Sequence, residues 1–263
     1  MSNEPKGAMH FEGRKSIGAM EAAENQRRWD EKHYQTVNKK PLHWYDITRA
    51  HLNFEVAKGG IIQKIGTSKP VEERFKERLE ELGVKPNPEV KKNDPAAAKM
   101  SNQIVEFVFS GDHEVMNMMA FGNQAVDFER DGTADNSHIQ RMNEIEQWAI
   151  DLYDWMAKKY GEENIIGFDV HLDETTAHCH ATIIPVVMRT EKKTGRERPV
   201  VSYKGLFGKD KATGQEIMKQ LHTELYEQVN SKYGLMRGDP VEISGAQHKD
   251  LSLIHISEPT RRS

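Results

Sequence analysis

Asn164-Ile-Ile-Gly-Phe-Asp-Val-His171-Leu-Asp-Glu-Thr-Thr-Ala-His178-Cys-His180-Ala-Thr-Ile183 is the stretch whose reading decides the fold. Before the acidic turn the residues alternate. Ile166, Phe168, Val170 and Leu172 share one face, and Asp169 and His171 share the other. The alternation resumes after the turn. His178 and His180 point one way, while Cys179, Ala181 and Ile183 point the other, toward a core. Two such runs joined by a short turn predict a β-hairpin that carries three of the chain's twelve histidines on one polar face. Neutral imidazoles grouped in this way suit a divalent metal (Zn, Mn, Fe, Co or Ni), and three protein ligands leave coordination positions open. His171, His178 and His180 are therefore the expected metal ligands. Asp173 and Glu174 supply turn chemistry, a further ligand or a base.

Working outward, the spacing predicts helices on either side. Met142, Ile145, Trp148, Leu152 and Met156 form an apolar stripe over about 138–160, ended by Gly161. Ile217, Leu221, Leu225 and Val229 form another over about 215–233, ended by Gly234. The first stripe is a core surface, not a cofactor box. Ile104–Phe109 reads as a strand, with Gly111-Asp112 capping the next helix. A short helix starts after Lys69-Pro70 and stops at Gly83. Further forward lie a possible strand at 8–12, a helix-prone stretch at 19–31 and an extended segment at 51–57. Residues 84–100 and 122–137 read as loops. This order predicts an α+β fold, an antiparallel sheet with helices packed on one face and the metal site on a central hairpin.

Composition narrows the function classes. The 263 residues are 37% hydrophobic and 30% charged, with a net charge of −4. No apolar run approaches the ~20 residues of a membrane span. One cysteine excludes a disulfide framework, and with a polar N-terminus it fits a cytoplasmic protein. Charge is uneven, however. Residues 189–211 hold eight Lys/Arg against three acids, a basic strip beside the hairpin that suits a phosphate-bearing partner. There is no Gly-x-x-x-x-Gly-Lys-Ser/Thr loop, Gly-x-Ser-x-Gly elbow or Cys-x-x-Cys pair. His113-Glu114 lacks the second histidine of a zinc-protease helix. Residues 251–263 resemble a translated sequencing adapter. The expected organisation is a domain over 1–250, a natural C-terminal region beyond it, and a non-native tail at 251–263.

The motif His171-Leu-Asp173-Glu174-Thr-Thr-Ala177-His178-Cys-His180 resembles the third motif of the Mob/Pre (MobV-type) relaxases, His-x-Asp-Glu-x-x-Pro-His-x-His. These plasmid mobilisation and recombination enzymes belong to the HUH endonuclease superfamily. Only the proline differs, and Ala177 should loosen the turn. Asn53-Phe54-Glu55-Val56 is similar to the second motif. Tyr203-Lys204-Gly205-Leu-Phe207 and Tyr233-Gly234-Leu-Met-Arg237-Gly238 are similar to later segments. At the first motif, Glu24-Asn25-Gln26-Arg27 follows Lys15-Ser16-Ile-Gly18. Asn25 and Arg27 match, while Glu24 stands where some members carry a nucleophilic histidine.

The resemblance implies a relaxase that nicks one strand at a plasmid or mobile-element transfer origin and stays covalently attached. Its cofactor would be a divalent ion, Mn or Mg. Its partners would be single-stranded or hairpin DNA at the origin and accessory mobilisation proteins. The implied catalytic residues are Glu24, Arg27, Glu174 and Tyr34. Glu24 is nucleophile, base or extra ligand, Arg27 neutralises phosphate and Glu174 handles a proton. Tyr34, His33 and His10 are the other nucleophile candidates. Asn25, Arg28, Asn53 and Lys204 would meet DNA, and Asn53 could instead order the site. Replacement of the histidine by Glu24 keeps a rival open, a non-catalytic origin- or single-strand-binding protein.

Overall fold

The two alternating runs become neighbouring strands at the middle of a six-stranded antiparallel sheet. The structure is a computed structural model that describes residues 4–39, 44–88, 95–129 and 133–238. Residues 251–263, the expected tail, lie outside the described residues. The front of the chain supplies β1 (Gly7–Arg14), α1 (Ala19–Asn25), α2 (Glu31–Val37), β2 (Phe54–Ala57), β3 (Ile61–Lys64), α3 (Val71–Glu81) and α4 (Pro95–Lys99). The middle supplies β4 (Ile104–Gly111), α5 (His113–Phe121), α6 (Asn143–Tyr160), β5 (Ile165–His171) and β6 (His178–Ile183). Then follow β7 (Val186–Thr190), β8 (Glu197–Val201), α7 (Tyr203–Phe207) and α8 (Lys211–Gln228). The sheet order is β1-β4-β6-β5-β2-β3, and β7 and β8 form a separate ribbon.

The register explains the two faces. His171 pairs with His178 and Asp169 with His180, so all three imidazoles stand on one face with Asp169. The opposite face is apolar. Phe107, Phe109, Phe168, Val170, Cys179 and Ala181 are buried there under α5, α6 and α8, with Trp148 and Leu152 of α6 among them. Each large side chain removed from water contributes about 1.5–3 kcal/mol. Asp112 accepts from the backbone N–H groups of Glu114 and Val115 and so caps α5 as expected. Gly161 ends α6 at φ 83°.

Several expectations change in detail. A bulge between Ile165 and Gly167 turns Ile166 to the histidine face, where it joins a smaller cluster with Ala22, Val71, Phe75, Leu79, Ile104 and Ile184. The polar face is therefore half covered, by α1 and α3, while the longer helices share the other side. The helix-prone stretch at 19–31 breaks after Asn25, and Arg27 takes φ 49°. A 3-10 turn at Ala50–Leu52 precedes β2, and an unanticipated edge strand, β3, follows it. α6 starts at Asn143, later than its stripe suggests. The basic strip is not a plain loop, because it holds most of the β7–β8 ribbon and α7. Met236 bonds back to Pro5 and Gly7, tying the late segment to the first strand. Among the described residues no helix is long and apolar enough to cross a membrane.

Candidate metal centre

The three histidines offer ligand atoms that all lie within 4.8 Å of one another. Two of the rings are held from behind. His171 Nε2 donates to the Asn25 carbonyl at 2.7 Å, and His178 Nδ1 donates to the Thr176 carbonyl at 2.8 Å. The remaining nitrogens, His171 Nδ1 and His178 Nε2, then face each other at 3.2 Å. Burial, with Arg27 and the other two imidazoles nearby, holds His171 well below its usual range, so the ring is neutral. In those tautomers two lone pairs oppose one another, an arrangement that a cation relieves. Glu174 Oε1 stands 3.5 Å from His178 Nε2 and 3.8 Å from His171 Nδ1. The donor set fits a divalent metal ion.

The turn that sets these rings is fastened at every carbonyl. Arg49 donates to Leu172 O at 2.8 Å and to Glu174 O at 3.1 Å. The backbone N–H of Asp46 donates to Asp173 O, Asn117 to Thr175 O, His178 to Thr176 O and Ser110 to Ala177 O. Arg49 is 2% exposed, pairs with Asp46 at 2.7 Å and lies over the rings of Phe121 and Phe128. The expected loosening at Ala177 is offset, since its N–H donates to Asn117 Oδ1, a bond that proline could not make. Arg49, Asp46 and Asn117 were missed from sequence. Their distance along the chain hid them, and only the nearness of Arg49 to Asn53 hinted at a role.

Arg27 joins the first motif to the third. Its guanidinium grips Asp173 at 2.9 Å through both Nε and Nη2, and Nη2 reaches Glu174 at 2.6 Å. Asp173 is fully buried. A left-handed backbone at a non-glycine residue is strained, and these bonds hold Arg27 there. Beneath it lie aromatic rings, with Tyr45 4.7 Å and Trp29 5.5 Å from the guanidinium carbon. Tyr34 packs edge-on to Trp29 at 5.3 Å. Burial and the nearby Asp173 carboxylate push its phenol well above the ordinary range. Glu24 accepts a hydrogen bond from Tyr45 Oη.

The other expected residues fall into place unevenly. Asn25 contributes its carbonyl to His171. Asn53 is 1% exposed and its Oδ1 accepts from Leu172 N at 2.6 Å, so of its two expected roles the geometry favours ordering the site. Arg28 is exposed and pairs with Glu72 of α3 at 2.8 Å. Lys204 is exposed on α7, which packs on β7 and α8. His33 stacks on Trp29 at 4.7 Å. His10 stands on the polar face of β1, on the rung that runs through Val108 to His180. Asp169, beside His180 on that rung, is pushed up to about 8 by burial.

The profile of the Mob_Pre family, described as plasmid recombination enzyme, matches residues 90–252. Plasmid recombination enzyme type 1 of Staphylococcus aureus is 31% identical over 107 residues, 40% of this chain and 23% of that protein. Type 3 from the same organism is 27% identical over 123 residues, 46% of this chain and 26% of that protein. The chain thus spans about a quarter of the length of these relatives. Two Mn-bound crystal structures of the MobM relaxase domain with plasmid pMV158 oriT DNA share the fold. Their TM-scores are 0.57 and 0.56 at 20% identity, covering 94% of this chain and 96% of that one.

Proposed function

The chain belongs to the Mob_Pre family of plasmid recombination enzymes, and from that premise we propose that it is a relaxase, nicking one DNA strand at a plasmid or mobile-element transfer origin. The observation that carries the reading is the convergence of three neutral-capable imidazoles with the Arg27–Asp173–Glu174 network. His171 Nδ1, His178 Nε2 and His180 would hold a divalent ion, with Mn supported by the Mn-bound fold neighbours and Mg as the alternative. Such an ion, when bound, draws charge from a non-bridging oxygen of the scissile phosphate.

The chain's own residues do the rest. Arg27, spread between two carboxylates, fixes Glu174 beside the imidazoles, where it orients a ligand or accepts a proton. Glu24 accepts a proton on the α1 side. Tyr34, beside Asp173, serves this network more naturally than it serves as a nucleophile. Attack by a protein group stores the energy of the broken bond in a covalent protein–DNA ester, so rejoining needs no nucleotide triphosphate. The exposed cations Arg189, Lys192, Lys193, Arg196 and Arg198 of the ribbon, together with Arg28 and Lys204, would follow the DNA backbone.

The test is a sequencing gel. Single-stranded DNA from just upstream of the gene, incubated with the full chain and Mn, should yield a free 3′ hydroxyl and a 5′ end carrying protein. His178→Ala and His180→Ala should lose cleavage while retaining the circular dichroism of the parent. Full activity in either variant removes the metal role. Glu24 in place of histidine favours a second reading, a non-catalytic origin-binding protein. That reading predicts a gel shift and no nick.

A further inference from the structure

Glu24 occupies the position of an expected nucleophile but is engaged as an acceptor: its Oε1 takes the hydrogen bond of the Tyr45 hydroxyl. Tyr45 is placed with care. Its backbone N–H donates to Asn38 Oδ1 at 2.9 Å, and its carbonyl accepts from Asn38 Nδ2 at 2.7 Å. The next residue, Asp46, bonds through its N–H to Asp173 O in the histidine hairpin at 2.7 Å. The ring lies under Arg27 and packs edge-on against Trp29 at 5.1 Å. This fixes the phenol between Glu24 and the Arg27–Glu174 pair that borders the imidazoles.

Tyr34, by contrast, has as its neighbouring carboxylate Asp173, already gripped twice by Arg27 and fully buried. A proton passed there has no exit. Glu24 is only partly buried, so it can take a proton and release it to water.

Resting on the relaxase reading above, we propose that Tyr45 is the nucleophile of this chain and that Glu24 is its base. The Tyr45 Oη–P bond forms as the P–O3′ bond breaks. The phenolic proton moves to the Glu24 carboxylate and on to water, and the departing 3′ oxygen takes its proton from water. No electrons are gained or lost, and the reverse sequence rejoins the strand. Arg27, 4.7 Å from the ring, offsets the charge that develops on Oη. Burial, with Glu174 and Glu24 alongside, holds the free phenol well above its usual range, which makes a base in contact with it a chemical requirement at neutral pH.

The experiment uses the full chain, Mn and 3′-labelled single-stranded DNA from upstream of the gene. The covalent adduct should resist both dilute acid and neutral hydroxylamine, as an aryl phosphodiester does, and its peptide should carry the nucleotide mass on Tyr45. Tyr45→Phe should lose the adduct while its Mn titration matches the parent. Glu24→Gln should move the lower limb of the pH–rate profile to higher pH. An acid-labile adduct, a hydroxylamine-labile one, or one mapped to Glu24, Tyr34 or any other residue overturns the assignment and leaves the relaxase reading standing. Cleavage with no adduct overturns both the assignment and the covalent step of the relaxase reading. Absence of any cleavage by the parent chain removes both.

Discussion

Replacing Arg27 with methionine tests how the first motif is bound to the third. Methionine keeps an unbranched apolar stem over Tyr45 and Trp29 and removes only the charged fork. It leaves Asp173, fully buried, without the cation that holds both its oxygens at 2.9 Å. Two unit charges at that distance attract by about 6 kcal/mol at an effective dielectric near 20. Truncating one partner of a buried pair costs about 3–5 kcal/mol. Domains of this kind have about 5–15 kcal/mol in all, so urea unfolding, monitored in excess chelator, should show a large fall in midpoint with unchanged slope. Adding Asp173→Asn to the same chain should restore more than half of the loss, because the stranded charge is gone. A loss under about 1 kcal/mol, or an Asp173→Asn change that adds to the loss, would refute the reasoning.

Other expectations follow from the same structure. Burial, with Glu21 and Glu12 opposed by Arg14, pushes the Glu106 carboxyl up from 4.5 to about 8. The folded state therefore binds this proton more tightly than the unfolded one. Its contribution is complete below about pH 4.5 and is lost as pH rises through about 8, so Glu106→Gln should flatten the fall in thermal midpoint between pH 5 and 9. His171 acts in the opposite direction. Its lowered value means that stability present above about pH 6.5 is lost on acidification, and His171→Gln should blunt the acid limb of the same melting curves. Arg49→Lys, which cannot bridge Asp46, Leu172 O and Glu174 O together, should weaken Mn affinity by roughly 10–100-fold in calorimetry. Neutralising Arg189, Lys192 and Arg196 should lower the salt dependence of single-strand binding by about 0.7 per lost phosphate contact, read from filter-binding slopes.

The hairpin was legible because its alternation and its pairing are both local. Register alone puts His171 opposite His178 and His180 opposite Asp169, and a six-residue turn leaves little else to choose. The apolar stripes of α6 and α8 were legible for the same reason. What escaped notice depends on contacts across the chain. Nothing local in Ile165–Gly167 announces the bulge that turns Ile166 to the second face. Gln26 caps α3 through Val71 N, a bond spanning 45 residues. Arg49 and Asn117 hold the turn from 125 and 58 residues away. The break after Asn25, with Arg27 left-handed, is imposed by Asp173 and Glu174, which lie about 146 residues downstream. Residues of this kind look like ordinary surface polarity until the fold buries them.

Titration of Mn into the purified chain beside its His178→Ala variant tests the metal centre most directly. One ion should bind per parent chain, and the binding isotherm should be lost in the variant. A flat titration of the parent, or an unchanged isotherm in the variant, would contradict this.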